Sequence, residues 1–264
     1  MFKYKNVIIF FLIIFIFSSC KFQKILKSTD YELKFEKAKE YYQEKDYIKA
    51  TQLFDELLTI YKGSSKAEEV NYYYAECYYG NRDFILAGYY LKRFANMFPN
   101  SEHAEQCLYQ SAKCFYYDSP NYKLEQTNTY KAIQEFQLFI NKYPKSNRID
   151  TCNNMIDKLR DKLEMKSYYN SKLYYELGDY KAAIIALKNA IKDFPDTKFR
   201  EEILFYIFES SFLYAKNSII KKKKERYIKA LDEYYVFIDE FDSSKFLKKA
   251  EKNFDVAVKK IESY

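Results

Sequence analysis

The sequence predicts an all-α chain, a right-handed superhelix (α-solenoid) of about five helix pairs closed by a capping helix. Three observations predict it. A short pattern returns five times: an aromatic, often after Asp, then an Ala a few positions on, then a closing aromatic. Its copies run Tyr47, Ala50, Tyr61; Phe84, Ala87, Phe98; Tyr130, Ala132, Tyr143; Tyr180, Ala183, Phe194; and Tyr227, Ala230, Phe241. Only four Gly and four Pro leave few turn-makers for hairpins, while 31% charged residues suit exposed helix faces. Finally, each repeat after the first closes on a similar phrase: Phe98-Pro99-Asn100-Ser101, Tyr143-Pro144-Lys145-Ser146, Phe194-Pro195-Asp196-Thr197 and Phe241-Asp242-Ser243-Ser244.

That grammar is the tetratricopeptide repeat, a helix-turn-helix unit of about 34 residues. The small Ala admits a close second helix, and the aromatics fill the space between units. Such arrays bind partners along a concave face.

The elements follow in order. Residues 1–19 read as a secretory leader: Lys3 and Lys5 precede an apolar run, Val7 to Phe17. That run is too short for a spanning helix, which needs about 20 residues. Ser18-Ser19-Cys20 resembles a bacterial lipobox, which implies cleavage before Cys20 and palmitate-type lipid on the cysteine. An ordinary leader with a coincidental cysteine is the other reading. Residues 20–30 form a linker that spans at most about 33–36 Å from Cys20. The solenoid then occupies 31–264, with N-terminal repeats over 31–144 and C-terminal repeats over 145–264.

In the first repeat, helix A is predicted around Phe35–Gln43 and helix B around Ile48–Tyr61, where Ala50, Phe54, Leu57, Leu58 and Tyr61 form a buried stripe. The second repeat ends at Phe98-Pro99, because proline lacks an N–H and disfavours helix before it. In the third, Ala112 and Ala132 lie 20 apart instead of 12, so residues 118–128 are extra. An ordered functional loop and a simple length variation both fit. A connecting helix over about Arg148–Met165 leads to the fourth repeat, whose turn is Leu177-Gly178-Asp179-Tyr180. Residues Asn217–Arg226 are a second insertion, and a last helix around Lys245–Ile261 caps the array. The Ser or Thr of each closing phrase is placed to N-cap the next helix.

Of 44 basic side chains, Lys3 and Lys5 fall in the leader, leaving 42 against 37 acidic and a formal +5. The excess is scattered apart from Lys221-Lys222-Lys223-Lys224. An exported chain meets no nucleic acid, so this run reads as a solvated loop between helices. Cys107 and Cys114 sit about 10 Å apart along one helix and cannot pair. Buried free thiols are expected, with a bond from Cys77 to the next repeat left open. No metal-ligand spacing, phosphate loop or nucleophile elbow occurs, and the lone His103 reads as exposed, so neither an enzyme nor a cofactor is expected beyond the lipid on Cys20.

In tetratricopeptide families the fifth, ninth and twelfth positions of helix A face the groove. Here they read Phe35-Lys39-Tyr42, Tyr72-Glu76-Tyr79, Tyr109-Lys113-Tyr116 and Tyr168-Lys172-Tyr175, then Ile207-Ser211-Tyr214. Four repeats thus present aromatic, charge, aromatic, with the aromatics two turns apart on one face. Tyrosine buries its ring against a ligand and keeps its hydroxyl wet. Such a ladder suits a peptide rich in aromatics, with the lysines meeting carboxylates. Chance register among 30 Tyr and 23 Phe is the competing explanation.

Together these features resemble the BamD (YfiO) family, tetratricopeptide lipoproteins of the outer-membrane β-barrel assembly (BAM) machine. The most specific parts are Cys20, the five-repeat layout, Tyr122-Lys123-Leu124-Glu125-Gln126-Thr127 with Tyr130-Lys131-Ala132, and Phe194-Pro195-Asp196-Thr197-Lys198-Phe199-Arg200-Glu201-Glu202. The resemblance implies docking on BamA through the C-terminal repeats, with Arg200 in an ion pair to it. It also implies receipt of nascent outer-membrane β-barrel proteins by the N-terminal repeats. Lys21 in place of Asp after the cysteine implies the periplasmic face of the outer membrane. Gly63 and Asp242 stand where the family phrase has proline. The alternatives are an envelope-constriction coordinator and a surface nutrient-binding lipoprotein. The first usually carries a coiled coil before its repeats, and no heptads precede Tyr31; the second uses Trp, which this chain lacks.

Overall fold

The computed structural model describes residues 21–263, so the leader and Cys20 lie outside the described residues. Among these, every regular element is a helix. After a helical stretch over 21–26 come α1 (Tyr31–Gln43), α2 (Tyr47–Ile60), α3 (Ala67–Gly80), α4 (Phe84–Met97), α5 (Ala104–Tyr117), α6 (Thr127–Lys142), α7 (Ile149–Glu176), α8 (Tyr180–Asp193), α9 (Arg200–Lys216), α10 (Ile220–Glu240) and α11 (Leu247–Glu262). From α1 to α6 and from α8 to α11 each helix packs on the next, the pattern of a tetratricopeptide solenoid. The described helices gather into two compact units, one within residues 21–120 and 125–159, the other within 121–124 and 160–263. The division falls inside α7.

The recurring pattern explains the local structure. Asp46, Asp83 and Asp179 each N-cap a second helix, their side chains accepting from Lys49, Leu86 and Ala182 N–H. The residue before each Asp closes the preceding helix: Asp46, Asp83 and Asp179 N–H reach back to Tyr41, Tyr78 and Tyr174 carbonyls. This closure requires a left-handed residue. Gly178 supplies it at φ +80°, whereas Lys45 and Arg82 adopt φ 63° and 61° with side chains attached.

Ala50, Ala87, Ala132, Ala183 and Ala230 are all fully buried. The first unit holds two cores, one around Phe35, Leu53, Phe54 and Leu57, the other around Leu91, Phe94, Phe136 and Phe139. The second unit centres on Phe205, Phe208, Tyr234 and Phe237. Gly80 has a packing reason: a Cβ there would lie 2.4 Å from the Tyr47 ring. Lys34 is completely buried, its Nζ donating to Glu56 Oε2 at 2.6 Å and to the Leu26 carbonyl at 3.1 Å. With Phe22 also buried, this ties 21–26 to the first repeat, so the linker is shorter than an extended chain.

Phe98, Tyr143 and Phe194 leave helical geometry at ψ 65–76° ahead of their prolines. Phe241 adopts the same shape, φ −138° and ψ 64°, before Asp242. Tyr61, by contrast, stays near ψ 10°, and Gly63 turns the chain at φ +77°.

Three expectations change. The phrase-ending hydroxyls are not helix N-caps: Ser101, Ser146, Thr197 and Ser244 accept from N–H groups two residues on, within the turn. Three of them also donate to a carboxylate on an earlier helix, Ser146 to Glu105, Thr197 to Glu164 and Ser244 to Glu201, each at 2.6 Å. The connecting helix merges with helix A of the fourth repeat into the single α7 of 28 residues. The lysine run is not a loop, because α10 starts at Ile220, seven residues before the repeat aromatic Tyr227. Lys, Glu and Arg favour helix, and Arg226 Nη1 donates to Ser218 Oγ beside the turn. The third-repeat insertion, which fits either an ordered loop or a length variation, is ordered, with Ser119 and Thr129 hydroxyls bonded at 2.6 Å and Asn128 donating to Asp118.

Because Asp83 caps the start of its second helix, Asp83→Ala will lower unfolding free energy by about 1 kcal/mol. Urea denaturation followed by circular dichroism measures it, and an unchanged midpoint would refute the capping role.

Candidate peptide-binding face

In the first unit, Phe35 is 1% exposed and packs edge-on against Phe54 and Tyr61 at 6.3 and 6.1 Å. It is a core residue and not a groove contact, because the fifth position of α1 turns toward its own partner helix. Lys39 is half-buried, paired with Glu69 Oε1 at 2.9 Å and lying over the Phe35 ring. Tyr42 is half-buried between Tyr47 and Tyr73, 5.7 and 5.0 Å away, and burial pushes its hydroxyl pKa well up.

Tyr72 stacks on His103 with ring centroids 4.0 Å apart. Glu76 is only 8% exposed, and burial raises its carboxyl pKa against the opposing hydrogen bonds from Gln110 and Tyr42. Glu76 Oε1 and Gln110 Oε1 are both buried without a hydrogen-bond partner. Tyr79, Tyr109 and Tyr116 are half-buried. The Lys113 ammonium lies 6.0 Å from the Tyr79 ring centroid and 5.5 Å from those of Tyr109 and Tyr117. Burial pulls its pKa down, yet hydrogen bonds with Tyr79 and Tyr117 outweigh that and leave it raised. Among the described residues it has no carboxylate partner within 4 Å, while Arg148 also lies over the Tyr109 ring at 5.1 Å.

In the second unit Tyr168 is 2% exposed, stacked on Phe199 at 4.4 Å, with its hydroxyl donated to Glu202. It too belongs to the core. Lys172 reaches over Tyr206 at 5.1 Å, and Tyr175 packs against Tyr206 at 4.8 Å. Ile207 and Ser211 are likewise buried. Arg200 is engaged within the unit: Nε and Nη2 grip Glu240 at 2.6 and 2.8 Å, and Nη1 donates to the Pro195 carbonyl at 3.1 Å.

Thus Tyr42, Tyr72, Glu76, Tyr79, Tyr109, Lys113 and Tyr116 share one unit, with ring faces partly open and one cation uncompensated. Sequence reasoning missed Gln110, Tyr73, Tyr117, His103 and Tyr206. All but His103 adjoin a ladder position, so a wider helix face takes them in; His103 precedes its helix and reaches Tyr72 only through the fold. Among the described residues no His, Cys, Asp and Glu cluster could hold a metal ion, and no helix is long and apolar enough to cross a membrane. The four described cysteines, Cys77, Cys107, Cys114 and Cys152, are buried free thiols.

The YfiO family profile, outer membrane lipoproteins, matches residues 28–227. The chain belongs to the YfiO family of outer membrane lipoproteins. No curated protein matches this YfiO-family chain. Among solved structures, the TPR2AB domain of yeast Sti1 in its complex with pHSP90 is similar over 86% of this chain and 98% of that one, at 11% identity and TM-score 0.38, a loose likeness.

Because Glu76 holds its proton more tightly in the fold than in the unfolded chain, its stabilising contribution is complete at low pH. It is lost as pH rises above the ordinary carboxylate range through the raised value. Glu76→Gln is therefore expected to flatten the fall in melting temperature as pH rises above the ordinary carboxylate range. Parallel melting curves for mutant and parent would show that Glu76 is ionised throughout.

Proposed function

We propose that this lipoprotein is a non-catalytic scaffold of the outer-membrane β-barrel assembly complex, capturing nascent barrel proteins and docking on a BamA-like subunit. Lipid on Cys20 holds it at the periplasmic face of the outer membrane. Family membership over 28–227 is the observation that supports this reading most. The first-unit face adds a physical reason: half-buried tyrosines can sandwich an aromatic terminal residue, and Lys113, without a carboxylate of its own, can meet a chain-terminal carboxylate. Docking on BamA through Arg200 requires that arginine to exchange Glu240 for the partner's carboxylate, since its guanidinium fork is already filled.

Affinity purification of the full-length protein from native membranes in mild detergent tests the assignment. A large barrel protein with periplasmic domains, recovered in near-equal amount, is the expected partner. Recovery of division or nutrient-uptake proteins in its place would overturn the assembly role. The face itself is tested by Tyr79→Ala combined with Tyr116→Ala, which should weaken binding of a barrel-protein C-terminal peptide by about tenfold or more. An unchanged dissociation constant would remove the peptide site from this face.

A further inference from the structure

The edge of the second unit at the α9–α10 turn carries a feature that barrel capture does not use. Measured from its repeat aromatic Tyr227, α10 begins seven residues early, whereas α8 begins on its aromatic, Tyr180. The extra length adds about 10 Å of helix at that edge. Ile219 and Ile220 at the turn are 70% and 75% exposed, among the most exposed large apolar side chains of the described residues. Lys221, Lys222, Lys223 and Lys224 follow directly.

The charge is not balanced from within. The first turn of α10 contains no acid, and no side chain caps it. Four cations therefore sit at the positive end of the helix dipole, an arrangement the fold does not compensate. Lys222 shares Glu225 with Lys229, at 3.5 and 3.0 Å, while Lys221, Lys223 and Lys224 have no carboxylate within 4 Å among the described residues. The cationic surface continues along a cavity of about 370 Å³ lined by Lys181, Lys188, Arg226 and Lys229 over Ile184 and Ile185, with Glu225 and Glu233 its acids.

We propose that this edge is a contact surface for an anionic phospholipid membrane. A solvated lysine run would need no partner, but two bare isoleucines at the same turn gain by leaving water. An apolar turn followed by lysines matches the two layers of a lipid interface, hydrocarbon below and anionic headgroups above. A membrane is also the one surface that a lipid-anchored chain always has at hand. The inference rests on family membership as a lipoprotein and not on the assembly role, so either can fail alone.

Asn217, exposed beside Ile219, offers a reporter position, since the four described native thiols are buried. Full-length lipoprotein carrying Asn217→Cys with an environment-sensitive fluorophore would be anchored in vesicles. One set is phosphatidylcholine alone, the other roughly one-third phosphatidylglycerol. The expected result is a shift of emission to shorter wavelength only with phosphatidylglycerol. Lys221→Glu with Lys224→Glu, or a rise in salt from about 0.1 M to about 1 M, should abolish the shift. Ile219→Ser with Ile220→Ser should diminish it, with melting temperatures confirming that the variants fold. Equal emission in both vesicle types would overturn the proposal. So would a shift that appears only when an acidic protein partner is added, which would assign the edge to that partner.

Discussion

Each second helix of this chain carries, at the repeat position, an alanine that is wholly out of solvent: Ala50, Ala87, Ala132, Ala183 and Ala230. The methyl group is what allows two helices to approach until the aromatics on either side interlock. At α4 and α5 the approach also involves backbone. Gly88 follows the alanine, Ser111 Oγ donates to its carbonyl at 2.8 Å, and a Cβ at Gly88 would lie 3.3 Å from that of Cys114. The large rings that form the cores, Phe54, Phe94, Phe136 and Phe237, lie on the same helices as the alanines and fill the space those alanines leave. Without that contact the tyrosines of the first helices would have no common surface on which to register.

The alanine spacing and the Asp–aromatic dipeptides made the helix pairs legible, because both have a single local cause: close approach in one case and capping in the other. The features that escaped depend on competition between local signals. A lysine run looks like a loop by charge but is a helix by propensity, and at Ile220 propensity prevails. Ser146, Thr197 and Ser244 look like helix caps by type. In the fold they serve the turn and a distant carboxylate at once, a long-range bond with no trace in sequence spacing. Prolines marked three repeat ends correctly, yet Phe241 adopts the same geometry before Asp242, so the aromatic's packing on Phe237 accompanies that shape without help from the ring of a proline.

The candidate face was legible only in part, for a related reason. Helix periodicity separates faces by roughly 100° per residue and cannot say how deep a side chain sits. Tyr42 and Tyr79 remain half-exposed while Phe35 and Tyr168, at equivalent spacing, are enclosed by Tyr61 and by Phe199. The chemistry of Glu76 was equally hidden. Burial raises its pKa, and the hydrogen bonds that oppose this come from Gln110 and Tyr42, residues that belong to two other repeats.

The buried thiols carry a consequence for biogenesis. A lipoprotein of the outer membrane passes through an oxidising compartment with Cys77, Cys107, Cys114 and Cys152 all reduced in the final fold. Burial raises the thiol pKa of Cys77 and Cys114 to about 12 and of Cys152 to about 11, so in the finished repeat array thiolate is scarce. The unfolded chain has no such shelter. Export therefore becomes a race in which helix pairs must close before an oxidase joins the wrong cysteines, and the local, neighbour-to-neighbour contacts of a repeat protein are the kind that close fastest.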